Sequence, residues 1–482
     1  MQITFLLACL VGVTVATTTL TDGGTCSENG RATKYDSCPK CGWKIHAPTT
    51  PGEYTLMRKY ETVHEMRDGF VCYMGRTGNP AQSSQHTQPN FSERFGRGYF
   101  WETGEPPLST LGTTGIPWLQ DPTQGMQKYD NGCKYINDLL VPREDGQAGF
   151  SLKAMRPPTA SAAYVTEDSN GWPDLDDAYT LRLESKDVVN GGLFVIDVDR
   201  LPYGAGVWPA FWMLGSDPND WLAHPPKTPG MAQRNYWPNR GEIDIIEYIN
   251  AYTTSIDTSN DWRNHVTLHT DAGCESNRSS PYESGHEDTS SSQRCNAGFD
   301  GSNDATKGCS MSMSKNTVGH QFFQGAQYVC EWVQDSHVDC WFFNKNETGT
   351  YKPGSDYRAS DGSPPVRTSP VDFRTATSVN VSELGLPDVR HDLAPGCRGP
   401  TADRYFSDMR FVINTVLCGQ WPNAVTTNVQ PIDTGGVSYN GASCENVMRG
   451  YIGTPPKQHG DGSRDYLDRR FDWDISFIKI FT

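Results

Sequence analysis

Beyond its first fifteen residues the chain has no stretch approaching the ~18 consecutive apolar residues that a membrane-spanning helix requires. Positive charge is also in deficit. There are 41 Lys and Arg against 57 Asp and Glu, a net charge of −16, so nucleic acid and anionic membrane surfaces are excluded as partners, whereas a neutral polymer is not. Long helical periodicity is missing, which argues against a bundle, and no internal repeat is found, which argues against a propeller or solenoid. Only 36% of residues are hydrophobic, while 47 Gly and 32 Pro suit short strands joined by many turns.

Aromatic residues are plentiful, with 13 Trp and 21 Tyr, enough to supply flat apolar platforms besides a core. Ile3 to Val15 is an apolar run of signal-peptide length, and Thr14-Val15-Ala16 offers a small-x-small cleavage pattern, although no Lys or Arg precedes the run. A signal peptide over 1–16 and secretion to the exterior or cell wall are therefore expected. Cysteine usage agrees with an oxidising compartment. Of 14 Cys, Cys9 falls inside the signal, which leaves an odd number in the mature chain. Sequons at Asn90, Asn277, Asn346 and Asn380 are available for glycosylation.

Residues 17–53 are polar, carry Cys26, Cys38 and Cys41, and are read as a disulfide-tied leader. The Cys38-x-x-Cys41 spacing lacks the second close pair that zinc needs, so no metal and no cofactor are expected. One catalytic domain is placed over 54–482, with insertions at about 70–120 and 217–234 and further loops at 275–316 and 350–370. Strands are expected at 193–198, 207–214, 242–249, 265–270, 328–333, 338–343, 409–416 and 473–481, from β-branched and aromatic enrichment. The economical all-β solution is two packed antiparallel sheets, and a monomer is expected. One hairpin tests the register: a turn at Gln334-Asp335-Ser336 puts Cys330 opposite Cys340, within disulfide reach.

The informative run is Trp237-Pro238-Asn239-Arg240-Gly241-Glu242-Ile243-Asp244-Ile245-Ile246-Glu247. In a regular strand Glu242 and Asp244 share one face and Glu247 points to the other, into the core. Burying an unpaired carboxylate costs several kcal/mol, roughly, so a β-bulge at Ile245-Ile246 is predicted, which returns Glu247 to the face of the other two acids. Crowding of three acids then raises at least one carboxyl pKa, giving a protonated acid beside an ionised nucleophile. The bland alternative is a solvated edge strand whose acids only block aggregation.

This run resembles the active-site strand of glycoside hydrolase family 16, in the bulged form of laminarinase-like endo-1,3(4)-β-glucanases. Fungal-type members are also matched, in order, by Asp121-Pro122-Thr123-Gln124-Gly125, by Gly206 to Met213 with Trp208-Pro209-Ala210-Phe211-Trp212, by Thr267-Leu268-His269-Thr270, and by Cys418-Gly419-Gln420-Trp421. The resemblance runs from about Tyr54 to the C-terminus. It implies a jelly-roll sandwich with an open glycan cleft, Glu242 as nucleophile, Asp244 as assisting acid and Glu247 as acid/base. It places Trp208, Trp237, Asn239, Arg182 and His269 toward substrate. Trp212 and Trp421 are candidates on which packing and binding compete. A disulfide at Cys418 is also implied, with Cys444 the candidate partner. Where the family usually has Gly-Arg, the chain has Asp177-Ala178, and one sugar contact is lost with that arginine.

The function these residues imply is internal cleavage of β-1,3- or mixed β-1,3/1,4-glucan with retention of configuration. A glucan transglycosylase on the same site is the second reading, and a non-catalytic glucan-binding protein the third.

Overall fold

The computed structural model describes residues 44–45, 51–76, 139–153, 179–204, 207–215, 240–249, 263–270, 273–279, 286–287, 293–296, 308–313, 317–318, 325–345, 356–357, 366–393, 395–397, 405–417 and 471–482. In chain order the strands are β1 (Lys44–Ile45), β2 (Glu53–Tyr60), β3 (Phe70–Arg76), β4 (Leu140–Pro142), β5 (Phe150–Leu152), β6 (Tyr179–Ser185) and β7 (Val188–Val189). They continue with β8 (Gly192–Arg200), β9 (Val207–Gly215), β10 (Glu242–Glu247), β11 (His265–His269), β12 (Asn277–Ser279), β13 (His286–Glu287) and β14 (Cys309–Ser312). The last eight are β15 (Ala326–Val333), β16 (His337–Asn344), β17 (Asp356–Tyr357), β18 (Val366–Arg367), β19 (Ser378–Asn380), β20 (Val389–Asp392), β21 (Met409–Leu417) and β22 (Trp473–Phe481). Among the described residues one α-helix, α1 (Val63–Gly69), follows β2.

The strands form a two-sheet jelly-roll sandwich. The first sheet runs β1-β7-β21-β9-β10-β11-β14-β13, with β6 also on β21 and β3 on β6; the second runs β12-β20-β16-β15-β8-β22-β2-β19, with β5 on β22 and β4 on β5. Pairing within these sheets is antiparallel, except for the two-residue parallel contact of β1 with β7. The core lies between the sheets. Phe211, Met213, Ile243, Ile245, Phe411 and Ile413 from the first sheet meet Phe194, Ile196, Tyr328, Phe342 and Ile478 from the second. Phe194 and Phe411 touch edge to face across the gap, with centroids 5.1 Å apart. The second sheet is covered on its other side as well, where Phe373, Val379 and Leu384 close over Val195, Val329, Trp341 and Phe477. β22 is buried along its whole length, although Asp474, Ser476 and Lys479 interrupt its apolar residues.

The predicted hairpin is present in its predicted register: Val333 stands opposite His337, and Cys330 opposite Cys340 with a disulfide between them. Three expectations change. The insertion placed from residue 70 begins with a strand, since Phe70–Arg76 pairs along the whole of β6. The leader's Lys44–Ile45 pairs with Val188–Val189, so its end belongs to the first sheet. The loop expected over 275–316 contains β12, β13 and β14, and that over 350–370 contains β17 and β18. β14 has the sequence Cys-Ser-Met-Ser, without a β-branched residue; its place is fixed by pairing with β11 and by the Cys295–Cys309 disulfide. A further disulfide, Cys274–Cys397, ties the segment after β11 to that after β20. Cys418 and Cys444 lie outside the described residues.

Candidate active site

The site is built by one irregularity in β10. Glu242, Ile243 and Asp244 stand opposite Leu214, Met213 and Trp212 of β9; the register then shifts, and Ile246 and Glu247 stand opposite Phe211 and Ala210. Ile245 is the extra residue. Because Glu242, Asp244 and Glu247 thereby oppose Leu214, Trp212 and Ala210, alternate positions of one strand, all three acids lie on the same face. Ile243, Ile245 and Ile246 belong to the core between the sheets. The bulge predicted at Ile245-Ile246 is present, and it resolves the conflict that predicted it.

Gly241 sets the entry to this strand. Its φ of +81° is open to glycine at little cost, and a Cβ there would come within 2.3 Å of the Tyr405 carbonyl oxygen. Asn264, at the head of β11, closes the irregular end. Its Oδ1 accepts the Glu247 backbone N–H at 2.9 Å, and its Nδ2 donates to the Ile245 carbonyl at 2.7 Å.

Around the acids, Trp208 donates its indole N–H to Glu247 Oε1 at 2.9 Å. His269, opposite Glu242 on β11, places Nε2 3.4 Å from Asp244 Oδ2 and 3.9 Å from Glu242 Oε1. Gly308 leaves room for this ring: a Cβ there would fall 2.6 Å from His269 Nδ1. Trp212 shares the parity of Trp208 and faces the acids, not the intersheet core; its indole N–H donates to Asn414 Oδ1 at 2.7 Å. Arg182, opposite Asn414 on β6, pairs with Glu184 and lies over the Trp212 ring, 4.9 Å from its centroid. Trp212 and Arg182 thus pack against each other on the site face of the sheet. Trp237, Asn239 and Trp421 lie outside the described residues.

Burial raises the Glu247 pKa, against the opposing pull of His269 and of the Trp208 hydrogen bond. The cause therefore differs from the predicted crowding by neighbouring acids: removal from water dominates. Glu242 and Asp244 are also nearly buried, at 7% and 2% exposure. Donor atoms of Glu242, Asp244 and His269 lie within 4.8 Å of one another, a spacing that a cation would also fit, but here the histidine itself faces the two carboxylates. Asn264 was not singled out from the sequence. It lies 17 residues beyond Glu247, and only the strand register brings it to the bulge.

Fold and site together define an all-β sandwich whose one face carries a row of three acids walled by tryptophan. Residues 120–225 and 229–356 match the model of the XgeA-like catalytic domain of glycoside hydrolase family 16, a range that includes β9, the acid row and β11. Over those residues the chain is similar to the catalytic domain of glycoside hydrolase family 16.

Among curated relatives, a probable glycosidase of Schizosaccharomyces pombe is 28% identical over 280 residues, 58% of this chain and 50% of its own length. A probable endo-1,3(4)-β-glucanase of Neosartorya fischeri is 29% identical over 333 residues, 66% of this chain and 41% of its own. The chain therefore spans about half or less of the length of these relatives. Among solved structures, an elongating family 16 β-1,3-glucosyltransferase aligns over 89% of this chain and 100% of its own, at 19% identity and a TM-score of 0.47.

Proposed function

We propose that the domain hydrolyses internal β-1,3 or mixed β-1,3/1,4 bonds of glucan with retention, Glu242 acting as nucleophile and Glu247 as acid/base. The observation that carries this reading is the bulge at Ile245, which brings a third acid to the face of two others while leaving the strand's isoleucines in the core. The β9 partners of Glu242 and Glu247, Leu214 and Ala210, are four positions apart, about 13 Å of strand. Two glutamate side chains on the same face are long enough to bring their carboxyl groups to the roughly 5–5.5 Å that a retaining glycosidase uses.

In the first step a Glu242 carboxylate oxygen bonds to the anomeric carbon as the glycosidic C–O bond breaks. The bond's electron pair stays on the leaving oxygen, which takes the proton of Glu247. Burial raises the Glu247 pKa and so favours its protonated form, as the acid role requires. In the second step Glu247, now ionised, takes a proton from water as the water oxygen attacks the anomeric carbon and releases Glu242. Asp244, held against His269, assists by orienting Glu242 and its charge. Trp208 stands beside the acid/base, where its indole face suits the C–H face of a glucose ring. The relatives named as endo-1,3(4)-β-glucanases support the choice of glucan, and the disulfides and the apolar N-terminal run support secretion.

The test is a panel of laminarin, lichenan, barley glucan, agarose and carrageenan with Glu242→Gln as control. Cleavage confined to the glucans, β-configured first products by proton NMR and loss of turnover but not of binding in Glu242→Gln are expected. Undiminished activity of Glu242→Gln excludes the assignment.

A further inference from the structure

We propose that Asn264 is a positioning residue for the acid/base: its side-chain amide replaces the strand backbone that the bulge displaces, and so fixes the carboxyl of Glu247 toward the leaving oxygen. The inference rests on the reading of Glu247 given above. Extending the observed pairing of Glu242 with His269, Ile243 with Leu268 and Asp244 with Thr267 would set Ile245 opposite Val266 and Glu247 opposite Asn264. The ladder stops at Asp244 instead, because Ile245 is the inserted residue. The Ile245 carbonyl and the Glu247 N–H then lack their β11 backbone partners, in a place where orphaned polar groups are costly.

The Asn264 amide meets both. It has one acceptor and one donor in a rigid plane, as a peptide unit has, with Oδ1 on the Glu247 N–H and Nδ2 on the Ile245 carbonyl. These two partners also fix which end of the amide is oxygen. Asn264 is itself fully buried and held from behind: its N–H donates to Thr317 Oγ1 at 2.8 Å, and its carbonyl accepts from the Met313 N–H at 2.8 Å. Thr317 in turn accepts, through its carbonyl, the hydroxyl of Tyr328 in the second sheet. A continuous set of hydrogen bonds thus runs from the opposite sheet to the backbone N–H of Glu247. No other residue type of similar size supplies a donor and an acceptor in one fixed plane, so the requirement is for asparagine.

A residue that only stabilises the fold would affect every substrate alike. One that aims the acid should matter where the leaving group needs a proton and little where it does not. The full chain, wild type and Asn264→Ala, is therefore assayed for kcat/KM on laminarin and on 2,4-dinitrophenyl β-laminaribioside, whose phenolate leaves without protonation. Glu247→Ala is the reference and melting temperature a parallel readout.

Expected for Asn264→Ala is a loss of at least about tenfold on laminarin, part of the 10²–10⁴ that general acid catalysis supplies, with the aryl donor within about threefold of wild type. Equal losses on both substrates, or no loss on laminarin, while Glu247→Ala splits them, overturns the proposal alone. A Glu247→Ala protein that loses both equally overturns the acid/base assignment and the proposal with it. If Asn264→Ala does not fold, Asn264→Ser, whose hydroxyl can serve one of the two groups, is read by the same criterion.

Discussion

Trp208 and Glu247 are joined by a hydrogen bond from the indole N–H to Oε1, 2.9 Å long, from neighbouring strands of one sheet. The bond stabilises the ionised carboxylate and so lowers the Glu247 pKa, while burial raises it by more. Trp208→Phe keeps an aromatic face and removes the donor. Glu247 then keeps its proton to higher pH, and the alkaline limb of kcat/KM should move up by about half to one pH unit. A limb that stays in place or moves down shows that the indole does not govern the acid.

Gly241→Ala should destabilise the domain and lower activity together. The backbone there is left-handed, and the added methyl meets the Tyr405 carbonyl and the Phe406 ring. Strain and displacement amount to about 1–3 kcal/mol, read as a lower urea midpoint with an unchanged slope. Because Glu242 is the next residue, kcat should fall as well. A variant as stable and active as wild type would mean that this approach is not tight.

The Cys330–Cys340 bridge closes a short hairpin in the second sheet, far in sequence from the acids. Replacing both with Ala should cost about 2–3 kcal/mol from the lost loop constraint, with kcat/KM unchanged. Thermal unfolding of the double variant beside wild type checks the first half and kcat/KM on laminarin the second; an unchanged midpoint or a lowered kcat/KM would contradict the statement.

Asp339 offers a stability test away from the site. Burial pushes its pKa up to about 6, against the pull of His337 and Arg390. A carboxyl whose folded pKa exceeds its unfolded value weakens the fold above about pH 6, where it must ionise in place, and that penalty is relieved as pH falls through 6 toward 4. Asp339→Asn should therefore be more stable than wild type at pH 7, by on the order of 1–2 kcal/mol, and the difference should vanish near pH 4. A variant less stable at pH 7 would show that the pairing with Arg390 dominates.

How much of this was legible in the sequence depended on whether a local rule was broken. Glu242 to Glu247 could be read because an acid at a core position contradicts the strand's own alternation, and only an extra residue removes the contradiction. The Cys330–Cys340 pair followed from turn length alone. β14 could not be read, since Cys309–Ser312 carries no strand propensity and is held by its neighbours. β3 was hidden for another reason: Phe70–Arg76 opens a stretch whose Gly, Pro, Ser and Thr content outweighs its seven residues. Asn264 gave no signal, because an isolated asparagine before a strand is common and its importance exists only once the register is known. Strand parity sets Trp212 on the same face as Trp208, as its sequence spacing implies.

The central claim is that Glu242 forms the bond to sugar. Incubation of the full chain with 2,4-dinitrophenyl 2-deoxy-2-fluoro-β-laminaribioside, followed by proteolysis and peptide mass spectrometry, tests it directly, because the fluorine slows release of the intermediate. The account predicts one sugar adduct, on the peptide containing Gly241 to Glu247 and localised by fragmentation to Glu242. An adduct on Glu247, or an enzyme that turns over laminarin yet forms no adduct, would contradict it.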